Sequence, residues 1–169
     1  MDTKAHQDAI KALSDKIKGI KYAMLTTVSE SGSLHSRPMA AQDVEFDGIL
    51  WFFTDVDTSK VAEVGHDRQV SLTYVKPDDK LWVSVSGTAR LVRDQAMMQA
   101  LWRPTLSAWF PQGLHDPNLA LLEVTVTGAE YWEGPTAVAT ALVTLRGAIT
   151  GQQKPLSEEK RLDISPASH

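Results

Sequence analysis

The chain contains no cysteine in its 169 residues. Disulfides, thiol nucleophiles and Cys-ligated zinc or iron–sulfur centres are therefore excluded. Any electron chemistry must be carried by a bound cofactor. Basic residues are also few: 17 Lys and Arg stand against 21 Asp and Glu, a formal net charge of −4. A general nucleic-acid binder needs the opposite surplus facing the phosphates. No stretch approaches the roughly 18 apolar residues that span a bilayer. Met1 to Gly19 is polar and lacks the apolar core of a signal peptide. The expectation is a cytoplasmic protein with neither nucleic acid nor membrane as partner.

The motifs that mark common chemistries are missing too. His6, His35, His66, His115 and His169 are scattered, and none forms the i, i+4 pair of a helical metal site. There is no GxSxG elbow, no P-loop and no GxGxxG fingerprint. Hydrolase, nucleotide-triphosphatase and dinucleotide-fold readings lose support accordingly.

What remains is an ordinary globular composition at a length that suits one domain. Ile10, Leu13, Ile17 and Ile20 recur at helical spacing and predict a helix that ends near Gly19. Tyr22 to Ser29 and Leu34 to Ala41 read as strands joined by a turn at Glu30 to Ser33. Asp47-Gly48 marks another turn, with strand-like Val44 to Phe46 before it and Ile49 to Thr54 after it. Asp57-Thr58-Ser59 are good helix-capping types, followed by Val61 and Val64. Gln69 to Lys76 and Leu81 to Arg93 read as strands around a turn at Pro77 to Lys80, with Gly87 a bulge point. Asp94 to Trp102 has helix composition and stops before Pro104. In Leu119 to Trp132, Leu122, Val124 and Val126 alternate with Glu123, Thr125 and Thr127. Val138, Leu142, Leu145 and Ile149 suggest a C-terminal amphipathic helix, and residues 151–169 a polar, flexible tail. About six strands with short turns and a few helices point to an antiparallel barrel with peripheral helices.

One set of residues suits a phosphate. Ser36-Arg37 lies on the second strand, Thr54 ends the third, and Ser59-Lys60 opens the short helix. A helix N-terminus offers unpaired N–H groups, Arg37 and Lys60 add full charges, and Thr54 and Ser59 add hydroxyls. Trp51-Phe52-Phe53 is an apolar strand that can lie along a flat ring. Taken singly, each has a plainer reading: Arg37 a surface or salt-bridge residue, Ser59-Lys60 a cap and a solvated lysine, Trp51 to Phe53 core.

The order and spacing of several segments carry more. Tyr22 to Val28, Ser36-Arg37-Pro38-Met39, Leu50 to Asp55, Ser59-Lys60-Val61 and Val83 to Ala89 follow one another. Trp102, Trp109-Phe110-Pro111-Gln112-Gly113, Asp116-Pro117 and Tyr131-Trp132 come next, and Thr150-Gly151 and Glu159-Lys160-Arg161 close the series. This series resembles the general stress protein family of the pyridoxamine 5'-phosphate oxidase-like FMN-binding split barrels, over nearly the whole chain. The Ser-Gly-Thr-Ala segment is common to many split barrels, whereas Trp-Phe-Pro is specific to that group.

The resemblance implies a mainly β (α+β) fold: a six-stranded antiparallel split β-barrel with peripheral helices, one FMN-binding domain over residues 1–150. It implies FMN, with FAD as an alternative, bound at a homodimer interface. Arg37, Ser59 and Lys60, with Ser36 beside them, would take the phosphate and ribityl end. The backbone of Arg37, Pro38 and Met39 and of Phe52, Phe53 and Thr54 would meet the isoalloxazine. Trp102 and Trp109 would reach over from the partner subunit, or simply pack the dimer. No metal is implied. The chain lacks the C-terminal Arg-x-His element of true pyridoxamine 5'-phosphate oxidases, which puts that activity in doubt. No catalytic residue can be named. Two functions stay open: a flavin-dependent oxidoreductase with NAD(P)H as donor, and a flavin-storing or sensing module without catalysis. A haem-binding split barrel using His35 or His66 is a third reading.

Overall fold

The computed structural model describes residues 3–42, 44–135 and 158–164. The helical stripe forms α1 (Thr3–Ile17), which buries Leu13 and Ile17. Gly19 ends it with a positive φ of 79°, the left-handed conformation that suits glycine. Strands β1 (Tyr22–Val28) and β2 (Leu34–Ala40) then form a hairpin in full antiparallel register. Along β1, Ala23, Leu25 and Thr27 face the core, while Tyr22 and Met24 face outward. This is the period-2 alternation of a half-buried strand.

Strand β3 (Ile49–Asp55) follows, then α2 (Ser59–His66), β4 (Gln69–Lys76), β5 (Leu81–Val92) and α3 (Gln95–Leu101). The Asp94 carboxylate caps α3 by accepting from the Met97 N–H at 3.0 Å. Two short 3₁₀ turns, Pro104–Ala108 and Gly113–His115, lead to the long β6 (Leu119–Glu133). Strand β7 (Glu158–Asp163) comes last.

Six strands make one antiparallel path in the order β2-β1-β4-β5-β6-β3, and β7 pairs with β6 beside it. Strand β5 runs along one side of β6. The other side is divided: β3 takes residues 119–125 and β7 takes residues 128–133. The ladder between β5 and β6 shifts at Ser86/Gly87. A Cβ on Gly87 would lie 2.5 Å from the Thr125 carbonyl oxygen, so the close approach requires glycine. The sheet curls until its ends β2 and β3 approach each other, and Ala40 of β2 packs with Trp51 and Phe53 of β3. The result is the split barrel expected, with two apolar clusters among the described residues. The larger one fills the curl beneath α1, and the smaller one joins Phe53, Met98, Leu101, Leu106, Leu119 and Leu121.

Two expectations are corrected. Val44 to Phe46 forms no strand; Phe46 instead enters the main core, 5% exposed. Its apolar character serves packing, not a ladder. The tail of residues 151–169 is not wholly loose, because Glu158–Asp163 is a seventh strand. Ile164 behind it is 1% exposed, and its N–H donates to the Thr127 carbonyl at 3.1 Å. The predicted amphipathic helix around Val138 to Ile149 lies outside the described residues.

Candidate functional site

The site grows from two polar residues on the inward side of the β1–β2 hairpin. Leu25 pairs with Arg37 and Thr27 with His35 in the ladder. Thr27 is fully buried and Arg37 half-buried, so both need partners there. Helix α2, packed over β1 and β5, supplies one: Glu63, 8% exposed, beside Val64.

Glu63 is the hub. Its Oε2 accepts from Thr27 Oγ1 at 2.5 Å and from Arg37 Nη2 at 2.9 Å. Its Oε1 lies 2.6 Å from His35 Nδ1. Arg37 Nη1 donates to Thr27 Oγ1 at 2.5 Å and to the His35 carbonyl at 3.0 Å. The Thr27 hydroxyl, then His35 and Arg37, hold the Glu63 carboxyl down to about 2, against the upward push of burial. One turn earlier on α2, Lys60 feels the same guanidinium. Burial and then the Arg37 charge lower its ammonium below the ordinary lysine range, with Asp55 pulling the other way. Two cations thus share a half-sheltered place with one buried carboxylate.

Arg37 and Lys60 are near enough for the guanidinium charge to act on the ammonium. Ser59 sits exposed in the first turn of α2, next to Lys60. Ser36 goes to the other face of β2, where its hydroxyl meets Thr26 Oγ1 at 2.7 Å. The Thr54 hydroxyl donates to its neighbour's carbonyl, Asp55 O, at 3.2 Å. Thr58 is the N-cap residue of α2, but its hydroxyl donates backward to Asp55 O at 2.8 Å and leaves the first turn's N–H groups uncapped by it.

The remaining residues divide between backbone edges and aromatic packing. Arg37, Pro38 and Met39 lie on β2, and Phe52, Phe53 and Thr54 on β3, the two ends of the strand path. Each strand keeps one edge outside that ladder, and a proline is tolerated in such a place. Phe52 and Met39 point into the main core. Phe53 joins the smaller cluster, with Trp102 edge-on at 5.5 Å and Phe110 at 6.3 Å. Trp109 is 55% exposed and tilts over Tyr22 at 6.4 Å.

Sequence reasoning missed Glu63 and Thr27, and it weighed His35 as a haem ligand or as a plain surface or core residue. One signal was available: Thr27 and Arg37 both fall on the inward side of alternating strands, and an arginine turned inward calls for a carboxylate. His35 Nδ1 is tied to Glu63, and His66 is exposed at the end of α2. Among the described residues no group of three or more His, Asp or Glu side chains could hold a metal.

A curled sheet, split between β2 and β3 and carrying β7 beside β6, defines a split-barrel protein. The chain belongs to the pyridoxamine 5'-phosphate oxidase-like family, whose model matches residues 8–155. It is 31% identical over 177 residues to Protein bli-3 of Neurospora crassa, covering 98% of this chain and 84% of that protein. A general stress FMN/FAD binding protein of Xanthomonas citri is 32% identical, with a TM-score of 0.66 over 78% of this chain and 92% of that one. The fold is also that of a candidate general stress protein 26 of Jannaschia. That likeness has a TM-score of 0.72 at 20% identity, over 93% of this chain and 99% of that one. No helix among the described residues is long and apolar enough to cross a membrane.

Proposed function

We propose that the chain is an FMN-binding protein whose site is completed by a second copy of itself. The observation that carries the reading is Arg37, on an end strand of the path, bonded to Glu63 of α2 one turn from Lys60. Two like charges held close are relieved by an anion, and a phosphate monoester has the charge and the acceptors to do so. Arg37 and Lys60 bind the phosphate, Ser59 adds a hydroxyl, and the free edges of β2 and β3 offer backbone groups to the ring system. The flavin binding of the Xanthomonas citri relative supports the choice of ligand.

Dimerisation is supported by the outward face of the sheet. Tyr22, Met24, Val75 and Trp82 are each 40% or more exposed on the neighbouring strands β1, β4 and β5. Trp109 stands beside Tyr22 on that side. Such an apolar patch suits a protein partner. A second copy placed there would bring its Trp102 and Trp109 toward the flavin and exclude water from it.

A bound flavin supplies the reversible electron and hydride transfer that no side chain of this chain can provide. The proposed reaction is therefore electron transfer from NAD(P)H in the cytoplasm. A non-catalytic flavin-holding role is favoured by one observation: both oxygens of Glu63, the carboxylate bonded to Arg37, are already engaged. A spectrum and mass analysis of purified protein test the first claim; a colourless protein that ignores added FMN would overturn it. Anaerobic addition of NADPH then separates the two roles, since bleaching of bound flavin indicates an enzyme and a persistent yellow colour a holder.

A further inference from the structure

Resting on the reading of Arg37 as a phosphate ligand, we propose that Glu63 and Thr27 are positioning residues that aim one edge of the Arg37 guanidinium at the phosphate. A guanidinium has five N–H donors. Both Nη1 hydrogens are taken, by Thr27 Oγ1 at 2.5 Å and the His35 carbonyl at 3.0 Å. One Nη2 hydrogen is taken by Glu63 Oε2 at 2.9 Å. The two acceptors at the tip, Thr27 Oγ1 and Glu63 Oε2, are themselves joined at 2.5 Å, so they face the end of the group together. The donors left over are Nε–H and the second Nη2–H. They are adjacent and parallel, the fork that grips two oxygens of a phosphate.

The clamp is rigid because Thr27 and Glu63 are buried and every part is bonded. Thr27 is fully buried, Glu63 is 8% exposed, and His35 closes the second carboxylate oxygen. Arg37 therefore loses little side-chain freedom when a ligand arrives, and preorganisation of this kind strengthens binding. The carboxylate also has an opposite effect, since its negative charge repels a phosphate. The two effects predict opposite outcomes when Glu63 is neutralised, which makes the assignment testable.

The test measures FMN and riboflavin binding to wild-type protein and to Arg37→Ala, Glu63→Gln and Thr27→Val. Riboflavin has the same ring without the phosphate. The side-chain Nε and Nη resonances of Arg37 are followed by NMR in the flavin-free proteins. The expected result is FMN binding about tenfold weaker in Glu63→Gln and in Thr27→Val, the worth of one charge-assisted hydrogen bond. Riboflavin binding should hold within about twofold, and the Nη1 and Nη2 signals, separate in wild type, should merge as the group begins to rotate. Thr27→Val keeps both shape and charge, so it answers the question even if Glu63→Gln fails to fold. Unchanged or tighter FMN binding in the variants overturns the positioning role, and so does an equal loss for both ligands. If Arg37→Ala still loses FMN selectively, the phosphate seat survives that failure. Wild-type protein that binds neither flavin overturns the seat itself, and this role with it.

Discussion

Arg37 on β2 and Glu63 on α2 lie 26 positions apart and meet at 2.9 Å. The cationic seat therefore contains its own counterion, and its charge is smaller than Arg37 and Lys60 alone suggest. Removing either partner strands the other in a half-buried place. Breaking such a pair costs more than the pair itself contributes.

The first consequence is acid sensitivity. Glu63 is held at about 2 in the folded chain, against an ordinary value of 4.5. A carboxyl lowered by folding stabilises the fold above its unfolded value, and that contribution is lost as pH falls through 4.5 toward 2. The full difference corresponds to about 3 kcal/mol. Thermal melts of wild type and Glu63→Gln between pH 7 and pH 2 should show a stability gap that is constant above about pH 5 and closes in acid. A gap that ignores pH would show that Glu63 does not titrate as described.

The second concerns Lys60. Its ammonium is half-buried and feels the charge of Arg37, yet it anchors no buried carboxylate as Arg37 does. Lys60→Met should therefore weaken FMN binding about 10- to 100-fold with little change in melting temperature. Arg37→Ala should weaken it similarly and also lower the melting temperature, because Glu63 loses a partner. Titration by flavin fluorescence and a melt of the flavin-free protein give both numbers, with Lys11→Ala on the exposed side of α1 as control. Equal weakening of FMN and riboflavin would remove Lys60 from the phosphate.

These residues also show what the sequence could reveal. Arg37 and Lys60 were legible as candidates because charge, and a place on a strand or at a helix start, are local properties. So was the alternation of Ala23 and Leu25 against Tyr22 and Met24, since burial of one face imposes period 2. Glu63 was not legible. Its helix has eight residues, too few to mark an inward face, and its partners His35 and Thr27 lie 28 and 36 positions earlier. Only folding brings them together. Strand β7 was hidden for a related reason. Every residue of Glu158–Asp163 except Leu162 is charged, so neither propensity nor pattern suggests a strand, and pairing with β6 supplies the structure.

The third prediction follows from that strand. Ile164 is 1% exposed and lies in the main core with Leu13 and Val83. Ile164→Ala should cost about 2–5 kcal/mol, a fall in melting temperature of roughly 5 to 15 °C. Ending the chain before Glu158 should cost at least as much, because it also strips the edge of β6. A melt unchanged by either alteration would mean that β7 adds nothing to the fold.

The last prediction concerns the outward sheet face. Trp82 is 43% exposed there, paired in the ladder with Val75, which is also exposed. In a subunit that stays alone, Trp82→Glu replaces an exposed apolar ring with a solvated charge and should be harmless. In a dimer joined through this face it buries a charge against apolar neighbours, which is costly. Light scattering after size exclusion should therefore give a dimer mass for wild type and a single-subunit mass for Trp82→Glu. If the partner's Trp102 and Trp109 help enclose the flavin, FMN affinity must fall with the dimer. A monomer that retains full affinity would place the whole site within one subunit, and a variant that stays dimeric would move the interface to another face.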